Sequence, residues 1–253
     1  MTVVFVHGNP ETAAIWDPLI AELGRSDVVA HDDVVALSPP GFGAPVPAGF
    51  GATAGEYCDW LIAELERLGG PVDLVGHDWG AGHVIGVVMR RRDLVRTWCI
   101  DVMGITHPDY VWHEAAQAWQ TEGVGEEMVQ AMVAASPEAE TERYESLGIP
   151  AESARVLASA IDDDMGRCIL ALYRSAAQPA LRNLGENVEA MAARPGLVII
   201  AADDHYVGTE EMARAGAVRA GAEVRLLGGV GHWWMLQDPA SGAAALADFW
   251  GER

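Results

Sequence analysis

Apolar residues along the chain fall into two alternating patterns. Short runs rich in Val, Ile and Leu at residues 3–6, 33–37, 72–76, 95–101, 197–202 and 223–227 read as strands. Between them, stretches at about 13–24, 54–68, 80–92, 209–220 and 239–250 carry helical spacing. Strands that alternate with helices predict an α/β fold, with a mostly parallel sheet of about six strands flanked by helices on both faces. One interval breaks the rhythm. From about Thr106 to Arg194 no strand is evident, and the Ala-, Glu- and Met-rich text reads as several short helices. These are expected to form a helical cap inserted between two core strands, dividing the chain into a core of residues 1–104 and 195–253 and a cap of residues 105–194. Asp27-Val28-Val29-Ala30 and Asp33-Val34-Val35-Ala36 look alike, but only one copy is expected in the sheet.

The run at 72–76 leads into Gly76-His77-Asp78-Trp79-Gly80-Ala81 and then a helix. Glycines at both ends of such a turn let the backbone bend sharply and push the middle side chain out at the carboxyl edge of the sheet, forming a nucleophile elbow. Here the middle residue is Asp78 instead of the usual serine. A carboxylate nucleophile attacks an electrophilic carbon and forms an ester, which an activated water must then cut. The competing structural reading makes Asp78 an N-cap of the following helix. That reading leaves the flanking glycines and the partner groups unexplained.

Those partners also follow strands. The first strand delivers His7-Gly8-Asn9-Pro10, whose Asn9 N–H is a candidate, with that of Trp79, for an oxyanion hole facing Asp78. His7 itself reads as structural. The strand at 197–202 ends in Asp203-Asp204-His205, and a glycine-rich loop after the last strand carries His232. His232 would take a proton from water, and an acid on its other nitrogen would fix its tautomer. Asp204 is the preferred acid, with Asp203 the near alternative and Asp101 a more distant one.

Composition narrows the partners. A formal net charge of -21 over 253 residues disfavours nucleic-acid phosphates and anionic membranes and fits a small neutral substrate; with a carboxylate nucleophile the expected partner is a small apolar electrophile, with a homodimer left open. Cys58, Cys99 and Cys168 are odd in number and widely spaced, which suggests reduced thiols in a cytoplasmic protein. Neither a signal segment nor a membrane span is evident. Arg90-Arg91-Arg92 suits a helix C-terminus, and Asp162-Asp163-Asp164 the start of a cap helix. No metal site is expected; pairing that acidic run with His31-Asp32-Asp33 would be coincidence.

His7-Gly8-Asn9-Pro10, Gly76-His77-Asp78-Trp79-Gly80-Ala81, Asp204 and Gly231-His232-Trp233 together resemble the α/β-hydrolase superfamily, in its aspartate-nucleophile branch of epoxide hydrolases and haloalkane dehalogenases. The resemblance covers nearly the whole chain and is weakest in the cap. It implies the α/β-hydrolase fold, with about six strands because the usual first strand pair is missing. It also implies no cofactor. Epoxide hydrolases of this kind protonate the epoxide oxygen from cap tyrosines. Ala171-Leu172-Tyr173-Arg174 resembles the segment that carries one, which makes Tyr173 the candidate acid. Tyr110, His113 and Tyr144 are candidates for a second donor, and packing is an equal reading for the two tyrosines. Trp79, Asn9 and Trp233 join these three as candidate substrate-binding residues, although Trp233 and Trp234 read first as packing around the histidine loop. The expected activity is epoxide hydrolysis to a vicinal diol through an ester on Asp78. The runner-up is haloalkane dehalogenation, with Asn9 and Trp79 as the halide pair, and a non-catalytic binding protein of the same fold is the third reading.

Overall fold

The computed structural model describes residues 2–25 and 33–251. The first copy of the Asp-Val-Val-Ala doublet, His31 and Asp32 lie outside them. Six strands form one sheet: β1 (Val3–Val6), β2 (Val34–Leu37), β3 (Val72–Gly76), β4 (Val95–Ile100), β5 (Gly196–Ala201) and β6 (Glu223–Leu227). Their order is β2-β1-β3-β4-β5-β6 and every pair is parallel. All six strands predicted from the apolar runs are present.

Alternation along each strand sends neighbouring side chains to opposite faces, so each face has its own core. Val4, Val6, Leu74, Ile100 and Val198 pack on one side, whereas Val3, Phe5, Val75, Cys99 and Ile199 pack on the other. Helix α1 (Asp17–Arg25) lies on the second side; α2 (Ala54–Leu68) and α3 (Trp79–Arg90) lie on the first. Local sequence sets their ends. Thr53 and Glu56 form a reciprocal capping box at the start of α2, and Gly69 closes it in a left-handed conformation with φ 79°. Helix α3 ends in the arginine run, where Arg90 pairs with Asp59 and Arg91 with Asp93 and Glu66.

Between β4 and β5 come α4 (Glu114–Gln120), α5 (Val124–Ala134), α6 (Pro137–Ser146), α7 (Ala151–Ser159), α8 (Asp163–Ser175) and α9 (Ala180–Gly185). This all-helical insertion falls in the interval that the sequence pattern marked. Asp162 caps α8, its carboxylate accepting from Met165 N–H at 2.8 Å, as expected of that acidic run. After β5 the chain adds α10 (Glu210–Arg219) against the first face, and α11 (Trp234–Gln237) and α12 (Pro239–Gly251) against the second. The three cysteines are buried and unbridged. Among the described residues no helix is long and apolar enough to cross a membrane.

Candidate active site

The elbow forms because β3 meets α3 with no room for side chains. A Cβ on Gly76 would lie 2.6 Å from Ala81 Cα, and one on Gly80 would lie 2.1 Å from the Val6 carbonyl oxygen. Asp78 adopts φ 48° and ψ -124°, a left-handed conformation that a non-glycine residue holds only where its surroundings impose it. Its side chain makes no capping bond to α3, so the N-cap reading does not hold. Instead Oδ2 accepts from Asn9 N–H at 3.1 Å, and the Trp79 backbone N–H also supports the carboxylate. The two N–H groups expected to form an oxyanion hole therefore both face Asp78. Gly8 is required beside them, since a Cβ there would come within 2.1 Å of Asp78 Oδ2.

His232 lies across from this carboxylate, with Nε2 3.7 Å from Asp78 Oδ1. Its Nδ1 bonds Asp204 Oδ2 at 2.7 Å, and Asp204 Oδ1 accepts from Tyr206 N–H at 2.8 Å. Burial works against both charges. The mutual attraction outweighs it, holding the Asp204 carboxyl below and the His232 imidazole above their ordinary values. For Asp78, burial dominates and raises the carboxyl despite His232.

Beneath the elbow is a second charged chain. His77 is fully buried between two carboxylates, with Nδ1 2.6 Å from Asp101 Oδ2 and Nε2 3.3 Å from Glu11 Oε1. Asp101 also accepts from Trp234 Nε1–H at 2.7 Å and from the Asp78 backbone N–H at 3.2 Å. Glu11 accepts from Gly8 N–H at 3.3 Å and from the Trp233 indole N–H. Burial alone would neutralise these groups, but their pairing holds His77 well above its ordinary pKa and Glu11 down at about 2. Glu11, His77 and His232 could reach a common metal ion, but Glu11 and His77 are already committed to each other and to Asp101.

Above Asp78 the insertion closes a cavity of about 20 Å³ walled by Trp79, Tyr110, Trp112, His113 and Tyr206. A larger groove of about 670 Å³ between α5 and α8 has none of these residues in its lining. Tyr173 is fully buried behind the wall, edge-on to Trp79 at 5.3 Å and to Trp112 at 5.4 Å between ring centres. Burial and then Asp78 push the phenol pKa well up and keep it protonated.

An acid at a strained strand-to-helix turn, a histidine beyond the last strand and an acid beyond the strand before it now stand in one site. Residues 3–246 match the profile of the alpha/beta hydrolase family. The chain belongs to that family. Its curated relatives match in part. The (E)-2-((N-methylformamido)methylene)succinate hydrolase of Acinetobacter baylyi is 31% identical over 99 residues, 39% of this chain and 36% of that protein. Probable oxidoreductase EphD of Mycobacterium tuberculosis is 39% identical over 85 residues, 32% of this chain and 13% of that protein. The matched stretches thus span about a third and about an eighth of those relatives. The haloalkane dehalogenase DbeA from Bradyrhizobium elkani is similar in structure, with a TM-score of 0.77 and 21% identity over 99% of this chain and 90% of that one. At that identity the likeness is one of fold.

Within this alpha/beta hydrolase the candidate residues sort clearly. Asp78, His232, Asp204, Asn9 and Trp79 converge, and Tyr173 packs against Trp79. Asp101, the distant alternative acid, holds His77 and the elbow backbone. His7 is structural, with Nδ1 bonded to the Gly8 carbonyl at 2.8 Å and Nε2 to Ser38 Oγ at 3.1 Å. Tyr110 and His113 stand on the cavity wall, but the Tyr110 hydroxyl donates to the Tyr206 carbonyl at 2.7 Å and so is not a free second acid. Tyr144 is corrected: it is absent from the wall, and its hydroxyl donates to the Pro10 carbonyl at 2.5 Å, tying α6 to the loop after β1. Trp233 keeps its packing reading and loses the substrate-binding one. It packs edge-on against His232 at 5.0 Å and serves Glu11, behind the cavity. Sequence reasoning missed Glu11, Trp112 and Tyr206, although Tyr206 follows the candidate acid by two residues and Trp112 adjoins His113.

Proposed function

We propose that the chain is an epoxide hydrolase acting on small epoxides. The observation that carries this reading is Asp78 at the elbow facing His232, with the buried phenol of Tyr173 edge-on to Trp79 at 5.3 Å beside it. Asp78 attacks a ring carbon as the C–O bond breaks, and the electron pair stays on the oxygen, which takes the Tyr173 proton. The product is a hydroxyalkyl ester on Asp78. His232, oriented by Asp204, takes a proton from water, whose oxygen attacks the ester carbonyl. The oxyanion is met by the Asn9 and Trp79 N–H groups; its collapse breaks the ester C–O bond, the departing alkoxide takes the proton gained by His232, and a vicinal diol leaves. The proton of the new Asp78 carboxyl restores the phenol through solvent.

A second reading, haloalkane dehalogenation, is favoured by Asn9. Its side-chain amide is buried, with neither polar atom partnered among the described residues, as a halide-binding amide would be. The intact Asp78, His232 and Asp204 geometry speaks against a merely binding role.

The test compares wild type and Tyr173→Phe on 1,2-epoxypropane and 1-bromobutane. Loss of a general acid should lower epoxide turnover by about 10²- to 10⁴-fold. A bromide leaves without a proton, so bromoalkane turnover would not depend on the phenol. Wild-type turnover of the bromoalkane alone would overturn the epoxide reading.

A further inference from the structure

We propose that Trp112 is a specificity-determining residue, whose indole N–H selects epoxides that carry a neutral oxygen acceptor, such as an ether oxygen, outside the three-membered ring. The inference rests on the epoxide reading above and narrows its substrate class.

Ahead of α4 the side chains alternate. Tyr110 and Trp112 are buried, whereas Val111 between them is 73% exposed. As in a strand, that alternation turns two aromatic rings to the same side, and both stand on the wall of the cavity that contains Asp78. Trp112 is firmly held there. Its carbonyl accepts from Gln117 Nε2–H at 2.5 Å, and its ring stacks on Trp79 at 5.7 Å between ring centres. Tyr110 and Tyr173 meet it edge-on at 5.6 and 5.4 Å.

None of these contacts serves the N–H. Trp112 is only 8% exposed, and among the described residues its Nε1 has no hydrogen-bond partner. Buried indoles ordinarily find an acceptor, and in this fold Trp98, Trp234 and Trp250 donate to the Met191 carbonyl, to Asp101 and to Thr97 Oγ1. Trp16 is unpartnered too, but it packs in the core on the second face of the sheet and lines no part of the cavity. Beside Trp112, the Tyr110 hydroxyl is committed to the Tyr206 carbonyl. A buried donor without an acceptor is costly, and a substrate oxygen placed against it recovers that cost.

The wall also restricts which oxygen. It contains no lysine or arginine, and Asp78 contributes a carboxylate. An anionic substituent would meet that charge with no cation to offset it, whereas an ether or hydroxyl oxygen needs only one N–H. In the epoxide reading the ring oxygen takes its proton from Tyr173. The acceptor for Trp112 is therefore a second oxygen, on a part of the substrate that does not react. An epoxide without one leaves the N–H unpaired, which is how a polar wall group discriminates between substrates of equal size.

The test compares glycidyl methyl ether with 1,2-epoxypentane, which differ by one oxygen in place of one methylene. Trp112→Phe keeps an aromatic ring on the wall and removes the N–H. The ratio of kcat/KM for the ether over that for the hydrocarbon should fall roughly 10-fold in the variant, mainly through KM, because the contact is with an atom that does not react. An unchanged ratio, with both epoxides affected alike, would overturn the inference and leave Trp112 as packing. Wild type supplies a readout that survives misfolding of the variant. Its kcat/KM should favour the ether, since an aromatic wall without a free donor would favour the hydrocarbon, and that opposite preference would overturn the proposal. A wild type that opens neither epoxide would instead sink the epoxide reading, and this inference with it.

Discussion

His232→Ala should alkylate at near wild-type rate and then stop. The first half-reaction needs Asp78 and a proton donor, whereas the second needs a base for water, and only the second is removed. His232 Nε2, 3.7 Å from Asp78 Oδ1, is the group placed to activate water beside the ester, and its other nitrogen is already held by Asp204 at 2.7 Å. Loss of a triad member of this kind costs about 10⁴-fold or more in steady-state turnover. Rapid mixing with 1,2-epoxypropane followed by intact-protein mass spectrometry should show one adduct per chain, with the mass of the whole epoxide. Sustained turnover by the variant, or no adduct while the wild type is active, would contradict the assignment.

Asp101→Ala should be the most destabilising replacement near the site without touching substrate. Asp101 accepts from His77, Trp234 and the Asp78 backbone, so its removal leaves an imidazolium paired only with Glu11 and an indole and an amide without acceptors. Breaking a buried ion pair by deleting one partner costs about 3–5 kcal/mol. Urea unfolding should show a loss of that size, whereas a loss well under ~1 kcal/mol would mean that the charge chain does not hold the elbow.

The pH dependence follows from the same groups. His77 titrates higher folded than its ordinary 6.5, so its contribution is fully present below that value and fades as pH rises through the folded one. Glu11 is held at about 2 against an ordinary 4.5, so its contribution is present above 4.5 and fades as pH falls towards 2. Stability should therefore be greatest between those limits. In Asp101→Ala the alkaline decline should begin at lower pH, because His77 has lost one of the charges that raise it.

What was legible in the sequence is what local chemistry writes there. Parallel strands buried on both faces require β-branched runs, so β1, β3, β4 and β5 announce themselves. The elbow needs glycines at Gly76 and Gly80 because Ala81 and Val6 leave no space for a Cβ, and such a requirement is visible as residue identity. The groups that escaped depend on contacts between distant segments. Glu11 has meaning only once β1, β3 and the loop after β6 bring it to Gly8, His77 and Trp233. Tyr144 and Tyr173 are both buried aromatics in short helices of one insertion, and nothing in their spacing tells which ties its hydroxyl to a backbone carbonyl and which packs edge-on to Trp79. His113 was legible as a candidate, but its part as the N-cap of α4, with Nδ1 accepting from Ala116 N–H, depends on where that helix starts, which the composition of the segment does not mark.

The central claim, that Asp78 forms an ester later cut at its carbonyl carbon, is tested most directly by a single turnover of excess wild-type enzyme on 1,2-epoxypropane in heavy-oxygen water. The account predicts an unlabelled diol and heavy oxygen in the peptide containing Asp78, because the diol takes its new oxygen from the carboxylate and the water replaces it. Label in the diol and none in Asp78 would mean that water attacks the epoxide directly, and the covalent mechanism would be wrong.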